Sequence, residues 1–168
     1  MTRRTGHLAY WLVLLCGVAA DVVSKNVVFR FLSDSADRMY DVWPGVFRFS
    51  MHYNTGGPFS LFAGRHSNAW LIAVNLVALS VVVYLYLMSV KRGSLLGVLS
   101  LAMIAAGALG NLSDRMTVGC VRDFIDVYAI NYPVFNVADM FVSVGAFLLI
   151  IELLRGDKKL KPNEAASA

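Results

Sequence analysis

At 168 residues the chain is long enough for one domain, and it is 58% hydrophobic but only 15% charged, where soluble domains run at about 45–50% and about 25%. That balance excludes an ordinary soluble globular protein and points to lipid as part of the solvent. The formal net charge of +4 comes from basic residues grouped at the ends of apolar runs. No basic face carries base-reading or stacking groups, so nucleic acid is not an expected partner.

A spanning helix needs about 20 mostly apolar residues. The first candidate runs from Leu8 to about Phe31. Arg3 and Arg4 precede it as they would a secretory signal peptide. Asp21 and Lys25 follow where a small-residue cleavage site would stand, so a retained span is expected. Asp21 and Lys25 are four apart, acid first, which puts them on one helix face within pairing distance. Cys16 in this run and Cys120 further on form no C-x-x-C and are expected to be buried small fillers without a disulfide.

Residues 33–45 are polar and turn-forming and read as a loop. From Val46 to Tyr53, Phe47, Phe49, Met51 and Tyr53 alternate with Arg48, Ser50 and His52, the signature of a half-buried strand. Asn54-Thr55-Gly56-Gly57-Pro58 breaks it, and Phe59-Ser60-Leu61-Phe62 is expected to be a short interfacial helix or turn. His52 and His66 stand alone with no H-E-x-x-H, so no metal is expected.

Ala69 to Val90 carries no charge and predicts a second span, with Asn75 bonding to a neighbouring helix. Lys91-Arg92-Gly93 makes a basic turn, and Ser94 to Ser113 predicts a third span. In it Ala102, Ala106 and Gly110 form a small-residue stripe that admits another helix closely. Residues 114–133 read as a second long connection, β-rich over Val121 to Tyr128. The fourth span is expected from near Val134 to near Leu154, before a polar, basic, disordered tail from Arg155 to Ala168. The fold class is therefore an all-α polytopic membrane protein, four transmembrane helices with a small extracytoplasmic β element.

Arg3, Arg4, Lys91, Arg92, Arg155, Lys158, Lys159 and Lys161 all fall at one side of a four-span arrangement. The positive-inside rule makes that side cytoplasmic. Connections 33–68 and 114–133 then share the outer side with the polar ends of spans one, three and four. Charges at that depth cost several kcal/mol unless paired or wet, which makes them functional candidates.

Asp123 and Asp139 reach this surface on different elements. Two carboxylates in a partly dry pocket share one proton, so one can activate water while the other protonates a carbonyl oxygen or leaving amine. No G-x-S-x-G is present, and Cys16 lacks a nearby histidine. Spacing alone leaves three readings open: a hydrolase, a proton- or ion-coupled transporter using the same acids as a relay, and a structural scaffold.

The sequence resembles the lipoprotein signal peptidases (signal peptidase II) over nearly its whole length. Five blocks carry the likeness: Asp21-x-x-Ser24-Lys25, Asn54-Thr55-Gly56, Gly107-x-x-Gly110-Asn111-Leu112-x-Asp114-Arg115, Val121-x-Asp123-Phe124 and Phe135-Asn136-x-Ala138-Asp139. The resemblance implies an aspartic-type endopeptidase of the bacterial inner membrane with both termini cytoplasmic. Its substrate would be a diacylglyceryl-modified prolipoprotein, cut before the lipidated cysteine, with membrane lipid around it and no cofactor or metal. It further implies a monomer in which Asp123 and Asp139 are catalytic, and Asp21, Lys25, Asn54, Gly56, Asn111, Asp114, Arg115 and Asn136 line or brace the site. Arg115 is expected to donate either to substrate backbone or to Asp114. Val22, Pro58 and Arg122 depart from the family pattern, which favours glutamine, a small residue and an apolar residue there. Arg122 is expected on the face of its strand opposite Asp123.

Overall fold

The computed structural model describes residues 2–56 and 67–158. Four helices dominate it: α1 (Arg3–Ser33), α2 (Ser67–Arg92), α3 (Leu95–Thr117) and α4 (Val137–Lys158). Each is long and apolar enough to cross a bilayer. Three strands, β1 (Met39–Trp43), β2 (Phe47–Asn54) and β3 (Val121–Asp126), form one antiparallel sheet in the order β1-β2-β3 at one end of the bundle. The chain is thus a multi-pass α-helical membrane protein with a small sheet. Pro58, the stretch Phe59 to Phe62, His66 and the tail from Lys159 lie outside the described residues.

In lipid, apolar groups face outward and the polar positions turn in. On α1 the buried stripe is Gly6, Tyr10, Leu14, Gly17, Asp21, Lys25, Phe29 and Leu32. Its three- and four-residue steps are those of one helix face, and Leu8, Trp11, Leu15, Val23 and Val27 are exposed around it. The central helix is α3, which packs on α1, α2 and α4. Its small-residue stripe serves that role: Ala106 packs at Gly17 of α1, and Gly110 lies against the Asp21 carboxylate. Asn75 Nδ2 donates to the Ala108 carbonyl on α3 at 3.1 Å, the interhelical bond expected of it. The half of the bundle away from the sheet is closed by Tyr10, Leu14, Val82, Tyr86, Val90, Val98, Leu101, Ala102 and Ala105.

Several expectations need correction. α3 continues to Thr117, past the boundary expected at Ser113, because Asp114 and Arg115 turn into the bundle and are buried there. α4 starts at Val137, not near Val134, since Phe135 still pairs with Ile125 and Asn136 caps the helix. At its other end α4 runs through Arg155 to Lys158, residues expected in a disordered tail. β1 lies inside the expected loop 33–45; all five of its residues are exposed, so no buried face imposes an alternation that the sequence could display. Cys16 is exposed on the lipid side of α1, not a buried filler, while Cys120 is partly buried.

Candidate active site

The site is built where α4 begins. Phe135 exchanges main-chain bonds with Ile125 of β3 (2.8 and 3.0 Å), which lays the next residue, Asn136, beside Asp123. Asn136 then caps α4. Its Oδ1 accepts the Asp139 N–H at 2.9 Å, and Asp139 Oδ2 accepts the Asn136 N–H at 3.2 Å. This is a reciprocal capping box with an aspartate at the third helical position. A third N–H of that turn, from Ala138, donates to Asp21 Oδ1 on α1 at 2.9 Å. The orphan donors of the helix start are thereby used to hold two acids.

Asp123 is only 1% exposed. Its Oδ1 accepts Asn136 Nδ2 at 2.6 Å and its Oδ2 accepts Asn54 Nδ2 at 3.0 Å. Asn54 is fixed in turn by Gly56, whose N–H occupies Asn54 Oδ1 at 3.2 Å and leaves the amide N–H₂ for the carboxylate. Asp139 Oδ1 accepts Asn111 Nδ2 at 2.9 Å. Asn111 Oδ1 is taken by Lys25 Nζ at 3.1 Å and by Asn136 Nδ2 at 3.0 Å. An ammonium has donors only, so Lys25 sets which end of the Asn111 amide meets Asp139. Burial first, then the charge of Asp139, push the Asp123 carboxyl up to about 7, against the pull of its bonds to Asn54 and Asn136.

Behind this pair lies a cluster of charges. Lys25 Nζ is 2.7 Å from Asp21 Oδ2 and 3.3 Å from Asp114 Oδ2, and Lys25 and Asp21 are fully buried. Of the two contacts expected of Arg115, the pair with Asp114 is not formed: Asp114 binds Arg122 instead, at 2.7 Å. The Arg115 guanidinium makes no hydrogen bond among the described residues, although it is 9% exposed and within electrostatic reach of Asp139 and Asp123. As expected, Arg122 and Asp123 point to different partners.

All ten residues singled out from the sequence fall in this one region: Asp21, Lys25, Asn54, Gly56, Asn111, Asp114, Arg115, Asp123, Asn136 and Asp139. Sequence reasoning missed Asn26, which binds Arg122 at 2.7 Å, and Asp126, which pairs with Arg48 at 2.6 Å. The second was readable in principle, because Arg48 and Asp126 lie opposite each other in the β2–β3 register. Cys120 offers no nucleophile: burial and nearby Asp114 push its thiol up. Among the described residues no group of three or more His, Cys, Asp or Glu is placed to hold a metal ion.

Four spanning helices with buried acids, amides and cations gathered at one end define a multi-pass membrane protein with a polar site at that end. A solved bacterial membrane enzyme, determined by the in meso method at 2.3 Å resolution, is similar with a TM-score of 0.77 and 28% identity, over 92% of each chain. Lipoprotein signal peptidases are similar in sequence. That of Ectopseudomonas mendocina (strain ymp) is 38% identical over 95% of this chain and 96% of its own. That of Pseudomonas aeruginosa (strain UCBPP-PA14) is 38% identical over 92% and 93%, and that of Gloeothece citriformis (strain PCC 7424) 36% identical over 84% and 86%. The model of the signal peptidase (SPase) II family matches residues 13–155. The chain belongs to the signal peptidase II family and is a peptidase.

Proposed function

We propose that this protein is an aspartic-type endopeptidase that removes the signal peptide from diacylglyceryl-modified prolipoproteins, with Asp123 and Asp139 as the catalytic pair. One observation carries the reading: acids from separate elements, β3 and α4, are bridged by a single residue, Asn136, whose side-chain amide donates to Asp123 and whose main-chain N–H donates to Asp139. A carboxyl held near 7 is a proton donor at neutral pH. With Asp123 as the donor, the partner acid bridged to it through Asn136, Asp139, takes the part of the base. Asp139 takes a proton from water as its oxygen attacks the scissile carbonyl carbon, and Asp123 gives its proton to the carbonyl oxygen. Collapse of the tetrahedral species breaks the C–N bond; Asp139 returns its proton to the leaving amine and Asp123 recovers its own. Arg115, with donors to spare, holds a substrate main-chain carbonyl. Lys25, Asp21, Asn111, Asn54, Gly56 and Asp114 orient the two acids.

Depth supports the substrate class. A lipidated cysteine keeps its acyl chains in the bilayer and confines the adjoining peptide bond to headgroup level, where α4 begins. Beside Asn111 and Arg115, the α3 residues Leu109, Leu112, Ser113, Met116 and Thr117 line an open, mainly apolar surface depression of about 340 Å³. It suits an apolar peptide segment or an acyl chain. Arg3, Arg4, Lys91, Arg92 and Arg155 lie at the opposite end, which favours cytoplasmic termini and a site facing outward in the bacterial inner membrane. The apolar and aromatic closure of that end speaks against a relay that carries protons through.

The test is incubation of purified protein in lipid with a diacylglyceryl-modified prolipoprotein. Wild type cleaves it, and Asp123→Asn and Asp139→Asn do not. Normal cleavage by both variants removes the aspartyl assignment, and proton flux without cleavage points to a transporter.

A further inference from the structure

Arg122 stands next to Asp123 on β3, and its side chain and main chain are both held. Its main-chain N–H donates to Asp114 Oδ2 at 2.9 Å, while Nε and Nη2 donate to Asp114 Oδ1 at 3.1 and 2.7 Å. Nη1 donates to Asn26 Oδ1 on α1 at 2.7 Å, and the guanidinium lies 5.7 Å from the Phe29 ring centroid, also on α1. One side chain on β3 is therefore tied to α3 and α1 together. Successive residues of a strand point to opposite faces, so pinning Arg122 on one face fixes the direction of Asp123 on the other. We propose that Arg122 is a positioning residue for the peptidase reaction, clamping β3 to Asp114 and Asn26 so that the Asp123 carboxylate is held toward Asn136 and Asp139.

The clamp has an electrostatic side. Asp21, Lys25, Asp114 and Arg122 form a connected cluster whose formal charges cancel. Asp123 is faced by Asn54 and its register partner His52 from β2, Asn136 and Asp139 from the start of α4, Lys25 from α1 and Arg115 from α3. Removing the Arg122 charge leaves the cluster with one net negative charge beside these groups. Ionising an acid of the pair then becomes harder, and the pH–rate bell moves to higher pH. An arginine suits the task because its planar fork engages Asp114 and Asn26 at once; a lysine supplies the charge without the fork.

This inference rests on the aspartyl reading above, and the experiment separates the two. kcat and KM for a diacylglyceryl-modified prolipoprotein are measured from about pH 5 to about pH 9 for wild type, Arg122→Gln, Arg122→Lys and Asp123→Asn, alongside thermal unfolding. For Arg122→Gln, kcat falls about fivefold with KM within roughly twofold, and the bell shifts upward. Arg122→Lys keeps the bell in place, and its kcat falls between wild type and Arg122→Gln. Wild-type kcat and pH profile in Arg122→Gln overturn the proposal, whatever its melting temperature. If that variant does not fold, Arg122→Lys decides, and a wild-type kcat there overturns it. Normal cleavage by Asp123→Asn sinks the aspartyl reading instead.

Discussion

Asn136 and Asp139 cap one another across the first turn of α4, side chain to main chain in both directions, at 2.9 and 3.2 Å. The bonds that start the helix are thus the bonds that orient an acid of the site, so fold and chemistry separate only with chosen substitutions. Asn136→Ala removes the cap, at about 1 kcal/mol, and the donor to buried Asp123, at about 1–3 kcal/mol more; it should lower cleavage at least about 100-fold. Asn136→Asp keeps a capping oxygen but sets a third carboxyl against Asp123. Because that carboxyl stands at a fully buried position and the amide donor to Asp123 is lost, it should melt well below wild type as well as be inactive. Melting curves and cleavage rates on the same preparations check both.

Asp123 makes stability depend on pH in a direction opposite to that of a salt-bridged acid. Its carboxyl is raised from an ordinary 3.8 to about 7, so the folded state holds the proton more tightly than the unfolded chain does. Its contribution is favourable below pH 3.8 and is lost as pH rises through about 7. Asparagine cannot ionise. The stability of Asp123→Asn relative to wild type should therefore increase between those limits, by on the order of 4 kcal/mol, and level off above. Melting temperatures of the two proteins across that range test it; a constant difference refutes the assigned shift.

Lys25 is the cation shared by Asp21, Asp114 and Asn111. Lys25→Met leaves two buried acids short of a partner, a loss of about 3–5 kcal/mol, and frees the Asn111 amide to turn its oxygen toward Asp139. The expected result is a low yield of folded protein. Adding Asp21→Asn removes one of the stranded charges and should recover folded protein without recovering cleavage. Size-exclusion profiles and the cleavage assay read the two effects separately.

What the sequence displayed follows from physics that leaves a local trace. Lipid requires long apolar runs, so all four spans were legible, and an i,i+4 acid and base on one face announced Asp21 with Lys25. Alternation announced β2 because one of its faces is partly buried. β1 has no such face and left no trace. Boundaries failed where tertiary contacts decide them: α3 keeps Asp114 and Arg115 helical because Lys25 and Arg122 reach in to Asp114. The N-x-x-D box at Asn136 sits in what reads as the opening of an apolar span, and its cap went unread. Of the two partners expected for Arg115, Asp114 is taken by Arg122 instead, since only the docking of β3 on α3 brings Arg122 there. Gathering the ten site residues needed the family resemblance, because distant blocks of sequence do not say which of them meet.

Gly110 tests how closely the helices must approach for the site to form. A β-carbon there would collide with Asp21 Oδ2 and press on the Ala138 side chain, the residue whose N–H donates to Asp21. No flexible side-chain end can yield, because the Asp21 carboxylate is held by Lys25 and Ala138 together. Gly110→Ala must therefore move α1 or the start of α4, at a cost of about 1–3 kcal/mol. It should also reduce cleavage more than the lost stability accounts for, since the displaced turn carries Asp139. Ala108 is the control: it lies on the same helix but is not in the Asp21 contact. Ala108→Gly should lower stability by about 1 kcal/mol with cleavage near that of wild type. Equal cleavage by Gly110→Ala and Ala108→Gly at matched stability would show that the approach of α1 to α3 is not what sets the acids in place.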